Sequence, residues 1–128
     1  MPTDYKIYSI KDFIRMKGSG KLDYDESVKI IQRLAEAASF HKDHNILIDL
    51  RETDVEWATM NDLLKLTLEF TRLKIDFKNR LANLIPDNER RIAIAAQFKA
   101  CLDIRGFEYE VFTDYEEAIE WLSETKDI

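Results

Sequence analysis

Asn45-Ile46-Leu47-Ile48-Asp49-Leu50 is a short unbroken apolar run interrupted only by an acid, and it feeds through residues 51–57 into a helical pattern. A run this short, flanked by polar residues, reads as a strand buried on both faces of an α/β sheet. In such sheets the loops at the carboxyl ends of the strands meet ligands and partners. Here that loop carries Glu52, Thr53, Asp54, Glu56 and Thr59 after Asp49, so function is expected there.

Working outward, residues 5–9 and 13–17 alternate apolar and polar about Ile10-Lys11-Asp12, which predicts two short strands joined by a tight turn, the second ended by Gly18-Ser19-Gly20. Asp23 with Glu26 forms a capping-box pair, and Tyr24, Val28, Ile31, Leu34, Ala35 and Ala38 recur at helical spacing to about His41. Thr59 with Asp62 repeats the capping pattern, and Leu63, Leu66, Phe70 and Leu73 continue it. Residues 81–85 predict a strand, Pro86-Asp87-Asn88 a stop and cap, and residues through Arg105 a helix closed by Gly106. Ile92-Ala93-Ile94-Ala95-Ala96 has strand-like periodicity, but Ala favours helix and the run to Gly106 is unbroken, so helix is expected. Residues 107–112 are the last strand, and Asp114 with Glu117 caps a helix whose Tyr115, Ala118, Ile119 and Leu122 share a face. The resulting order is β-β-α-β-α-β-α-β-α, an α/β fold with a mixed, mostly parallel sheet packed with helices.

With 128 residues, 45% hydrophobic and 34% charged, and only three Gly and two Pro, the composition is that of one compact domain over residues 1–128. A net charge of −6 argues against nucleic acid as a partner, because phosphate binding needs a positive face. Residues 72–91 depart from that balance, with Arg72, Lys74, Lys78, Arg80, Arg90 and Arg91 against Asp76, Asp87 and Glu89. The single Cys101 fits a reducing compartment, the N-terminus lacks a basic region followed by an apolar stretch, and no window approaches the ~18 apolar residues of a membrane span. A cytoplasmic protein is expected.

Chemistry-bearing motifs are few. Gly18-Ser19-Gly20-Lys21 fails as a phosphate loop, since Arg15 stands where glycine is required and Leu22 where Ser or Thr is. His41 and His44 have no further ligands near them, and a helix terminus accounts for them; no metal and no cofactor are expected. Asp49 lacks the acidic pair and the lysine that a phosphoacceptor of the receiver type needs, and reads as a carboxylate accepting backbone N–H bonds. Thr59 reads as a helix N-cap, a role that can coexist with phosphorylation. Trp57 is either core under the loop or an exposed anchor, and Trp121 is core or core edge. No nucleophile elbow, zinc-binding pair or dinucleotide turn is present, so no catalytic residue is assigned and no enzyme is expected.

Met16-Lys17-Gly18-Ser19-Gly20-Lys21-Leu22, Ile46-Leu47-Ile48-Asp49-Leu50, the strand-Pro-Asp-helix segment of residues 80–106, and Val111-Phe112-Thr113-Asp114-Tyr115-Glu116-Glu117-Ala118-Ile119-Glu120-Trp121-Leu122 together span nearly the whole chain. They resemble the STAS-like, or SpoIIAA-like, family of anti-sigma-factor-antagonist-related domains. The resemblance implies a STAS-like fold and a non-enzymatic regulatory or protein-interaction module with a protein partner; homo-oligomer formation stays open. It aligns Thr59 with the serine that a partner kinase phosphorylates, with Ala58 at the preceding acid and Asn61 at the glycine of that motif. The interaction loop is then expected at Asp54, Glu56, Trp57 and Thr59. The SpoIIAA-like branch also resembles lipid-carrier folds, which implies an alternative: a small apolar ligand, or an anionic membrane surface. Ile92, Ala95, Ala96 and Phe98 are compatible with the ligand, and a basic patch of Lys74, Lys78, Arg80, Arg90 and Arg91, with Phe77 and Ile75 as shallow anchors, with the membrane.

Overall fold

A computed structural model describes residues 13–40, 44–55, 59–72 and 80–123. The elements run β1 (Phe13–Leu22), α1 (Tyr24–Phe40), β2 (Asn45–Val55), α2 (Met60–Arg72), β3 (Leu81–Leu84), α3 (Glu89–Ile104), β4 (Tyr109–Phe112) and α4 (Tyr115–Ser123). The four strands form one sheet in the order β1-β2-β3-β4, and every pair is parallel. The strand expected at residues 5–9 lies outside the described residues.

A consecutive parallel order with crossovers of one hand puts every connecting helix on the same face. Ile31 and Leu34 of α1, Leu66 and Phe70 of α2 and Leu102 of α3 accordingly share one core with Ile46, Ile48 and Leu81 of the sheet. The opposite face is closed by the helix that follows the last strand: Ala118, Ile119 and Leu122 of α4 pack on Leu47, Ala82 and Leu84. The alternation along β2 and β3 therefore feeds two cores, and that is why residues 46–50 read as continuously apolar.

Helix starts follow the caps. The Asp23 carboxylate accepts from the Glu26 amide at 2.7 Å, Thr59 Oγ1 from the Asp62 amide at 3.1 Å, and Asn88 Oδ1 from the Arg91 amide at 3.1 Å. Residues 92–96 are helical, and only Ala95 among them is buried, which is why the apolar run carried no amphipathic period. The far end of α4 lacks basic residues of its own. Its orphan carbonyls are instead met from the sheet, Trp121 by the Arg80 guanidinium at 2.7 Å and Leu122 by the Asn45 amide at 3.1 Å.

Two expectations need correction. Gly18-Ser19-Gly20 does not end β1, which continues to Leu22, and residues 51–55 are not a loop but the second half of β2. Lys17 pairs with Asp49 but Ser19 with Glu52, so β2 carries one extra residue opposite Gly18. That bulge shifts the alternation by one: Ile48 and Leu50 face the three-helix core before it, and Val55, with Thr53 in the same phase, returns there after it. Both glycines serve the distortion. A Cβ on Gly18 would come within 3.1 Å of Leu50 Cδ2, and Gly20 takes φ +89°, a left-handed conformation open mainly to glycine. Glycines mark turns and bulges alike, and the sequence does not separate the two.

Leu47 is fully buried between β2 and α4. Leu47→Ala is expected to cost about 2 to 5 kcal/mol in a urea titration, through lost transfer energy and the cavity left behind. A loss below about 1 kcal/mol would mean that α4 closes its face only loosely.

Candidate functional site

Between the sheet and α1, α2 and α3 the core is incompletely filled. A cavity of about 100 Å³ opens there, within apolar space that reaches about 700 Å³ when its mouth toward solvent is counted. Its walls are mainly aliphatic and aromatic, including Ile31, Leu34, Leu50, Leu66, Phe70 and Phe98. Phe98 is held edge-on to Tyr109 at 5.7 Å and tilted against Phe70 at 5.8 Å, so one side is a rigid aromatic wall.

Asn83, Arg91 and Tyr109 bring polar groups into that wall. Asn83 is a polar residue on the helix-facing side of β3, in phase with Leu81. Its Nδ2 donates to the Tyr109 hydroxyl at 2.6 Å, while its buried Oδ1 has no partner. Burial pushes the Tyr109 hydroxyl pKa up, so it stays a neutral donor and acceptor. Arg91 belongs to the first turn of α3 and is buried at 9% exposure. Its guanidinium donates to Thr53 O at 3.2 Å and to Thr53 Oγ1 at 2.9 Å, and that hydroxyl donates in turn to Leu50 O at 2.6 Å. The bulge that returns Thr53 to this face thus provides the anchorage for Arg91. Burial pulls the guanidinium pKa down, since desolvation disfavours the cation.

The other face of β1 and β2 holds a charged cluster. Asp49, 1% exposed, accepts from Arg51 Nε at 3.0 Å, Arg51 Nη2 at 2.9 Å and the Arg51 amide at 3.2 Å, and pairs with Arg15 at 3.5 Å. Both guanidinium groups lie over the Tyr115 ring of α4, at 5.6 and 5.8 Å. The Arg51 hydrogen bonds hold the Asp49 carboxyl below the usual carboxylate range against the opposing effect of burial. Asp49 joins β1 to β2 and holds the two guanidinium groups that lie against α4, with its lone pairs already engaged.

The residues singled out from sequence fall in several places. Asp54 is exposed on β2, in register with Lys21 of β1. Thr59 is an exposed N-cap. Arg80 stands beside the first residues of β2, where its amide donates to Asn45 Oδ1 at 2.8 Å and its guanidinium lies 5.1 Å from the Trp121 ring centre. Arg90 donates to Val55 O at 2.6 Å, at the other end of β2. Arg80 thus meets the first residue of β2, and Arg90 and Arg91 meet its last three. Glu56, Trp57, Ala58, Lys74, Ile75, Phe77, Lys78 and His41 lie outside the described residues. Among the described residues no cluster of three metal-ligating side chains occurs, and no helix is long and apolar enough to cross a membrane.

The family model described as SpoIIAA-like matches residues 13–123, from the start of β1 to the end of α4. The chain belongs to the SpoIIAA-like family. No curated protein and no solved structure matches it. Membership supports an anti-sigma-factor-antagonist-like module at the level of the family.

In this SpoIIAA-like domain, sequence reasoning passed over Asn83, Tyr109 and the burial of Arg91. One signal was present: Asn83 interrupts an otherwise apolar strand, Leu81-Ala82-Asn83-Leu84-Ile85, where an amide needs a reason. For Asp49 the linkage has a definite sign. Its folded pKa lies below the ordinary 3.8, so its stabilising contribution is complete above about pH 3.8 and is lost as pH falls through the folded value. Asp49→Asn is expected to cost about 1 to 3 kcal/mol at neutral pH and to flatten the stability profile below pH 3.8. Denaturant midpoints measured across that range check both; an unchanged acid limb would remove Asp49 from the account.

Proposed function

We propose that this SpoIIAA-like domain is a non-enzymatic regulatory module that docks a protein partner on the outer face of α2. The observation that carries the reading is a stripe of large apolar side chains: Met60, Leu64 and Leu68 recur every fourth residue and are 50%, 48% and 54% exposed. Residues at i and i+4 share one helical face, and an apolar face left in water is the signature of helix recognition by a partner. Thr59 stands exposed at the head of that stripe. A phosphate there would add negative charge at the positive end of the helix, next to the docking face, and so regulate it. Family membership supports the same reading.

Leu64→Glu and Leu68→Glu are expected to abolish capture of the partner from extracts of the native cell while leaving the thermal midpoint nearly unchanged, because both side chains are about half exposed. Ile104→Glu, at an apolar side chain 84% exposed on α3, is the control and should leave capture intact. A partner retained by both α2 variants would sink the reading.

The cavity favours a second reading, a small apolar ligand bound between the sheet and α1, α2 and α3. A concave, mostly apolar site with a few converging polar groups is the usual form of a small-molecule site. The Asn83 amide, buried with one polar atom left without a partner, is the specific sign of a group that such a ligand would satisfy.

A further inference from the structure

We propose that the cavity takes a small apolar carboxylate, its acid group held by the Arg91 guanidinium. This deepens the second reading above and rests on it.

The argument begins with charge. Among the described residues Arg91 has no carboxylate within ion-pair distance; its two hydrogen bonds go to the carbonyl and hydroxyl of Thr53, and Asp54 acts on it only from farther off. A buried cation without a counter-ion is costly, and buried charges are normally paired. Its position adds to that cost. The first turn of a helix carries the positive end of the peptide dipole and favours acids; Glu89 supplies one there, but Arg91 in the same turn adds a cation to it. Two positive contributions therefore bear on the cavity: the Arg91 guanidinium in its wall and the N-terminus of α3 that carries it. A neutral occupant leaves that field unanswered, a cation is repelled by it, and an anion answers it.

Hydrogen-bonding chemistry points the same way. With Asn83 Nδ2 donating to the Tyr109 oxygen, the Tyr109 proton is free to donate into the cavity. With the amide turned over, Tyr109 donates to Asn83 Oδ1 and the Nδ2 group becomes the free donor. An acid group fits the turned amide, which leaves Nδ2 as a second donor in the wall that Arg91 lines and no unpaired acceptor facing the carboxylate.

Size restricts the rest of the ligand. The cavity, about 100 Å³, is comparable with a dry apolar cavity that admits benzene, about 150 Å³. The apolar body is therefore compact, a short alkyl chain or one ring, with further length directed to the open mouth.

Arg91 also ties α3 to β2 through Thr53, and a purely structural tie is the rival explanation. The tie needs only donors, however, and a neutral side chain could supply them. The experiment separates charge from tie. Butanoate, hexanoate, octanoate and benzoate, each beside its matching alcohol, are titrated into the purified full chain at neutral pH. Binding is followed by amide and side-chain NMR shifts. Expected are saturable shifts at Asn83, Arg91, Ala95 and Tyr109, with at least one acid bound about tenfold or more tightly than its alcohol. Arg91→Gln, which keeps donors but drops the charge, should bring acid and alcohol to equal affinity, and Arg91→Lys should restore part of the difference. If Arg91→Gln does not fold, the acid-to-alcohol ratio in the unmodified protein decides alone. Equal binding of acid and alcohol to that protein overturns the carboxylate assignment and leaves the apolar-ligand reading standing. Shifts confined to residues away from the cavity overturn the assignment as well. Absence of binding by every acid and every alcohol overturns both.

Discussion

Crossover handedness is the constraint from which the rest of this molecule follows. Four parallel strands laid down in consecutive order send α1, α2 and α3 to one face, because each connection turns the same way. Three helices over four strands make a thick layer, and its apolar side chains do not meet everywhere; the cavity lies in that layer. The second face cannot be covered by any crossover and is left to the helix after the last strand. The two faces thus differ in kind, one a deep core with a void, the other a single short helix with a charged border of Arg15, Asp49 and Arg51.

The bulge in β2 joins the sheet to the candidate site. One additional residue opposite Gly18 reverses the phase of the strand, so Thr53 lies beneath α3 instead of facing outward. There its hydroxyl and carbonyl receive Arg91, and its proton reaches Leu50 O. A local irregularity in the ladder is in this way responsible for holding a cation at the end of an apolar cavity. Bulges are common next to functional sites because they re-aim a side chain.

How much of this was legible in the sequence depended on whether the signal was local. Caps at Asp23, Thr59 and Asn88 are contacts over three residues, and the sequence displays them directly. The strands of residues 46–50 and 81–85 were legible because burial on both faces leaves each apolar but for one polar residue, Asp49 in the first and Asn83 in the second. The second half of β2 was not. Arg51 and Glu52 both face solvent at the bulge, and a strand with two consecutive exposed residues looks like the start of a loop. Arg90 and Arg91 belonged by composition to a basic segment, but their partners, Val55 and Thr53, come from a strand far away in sequence. Charge along a chain does not reveal which cations have been drawn inward. Asn83 was visible as an anomaly; its meaning required the neighbouring strand to bring Tyr109 alongside.

The attachment of α4 sets an order in which the structure loosens. Among the described residues its nine residues close one face, and its last carbonyls are held from outside the helix by Asn45 and Arg80. It is the shortest of the described helices, whereas α1, α2 and α3 share a common core and are expected to loosen together. Fluctuation at the carboxyl end of the domain therefore exposes Leu47 and Ala82 of the central strands without disturbing the cavity on the far side of the sheet.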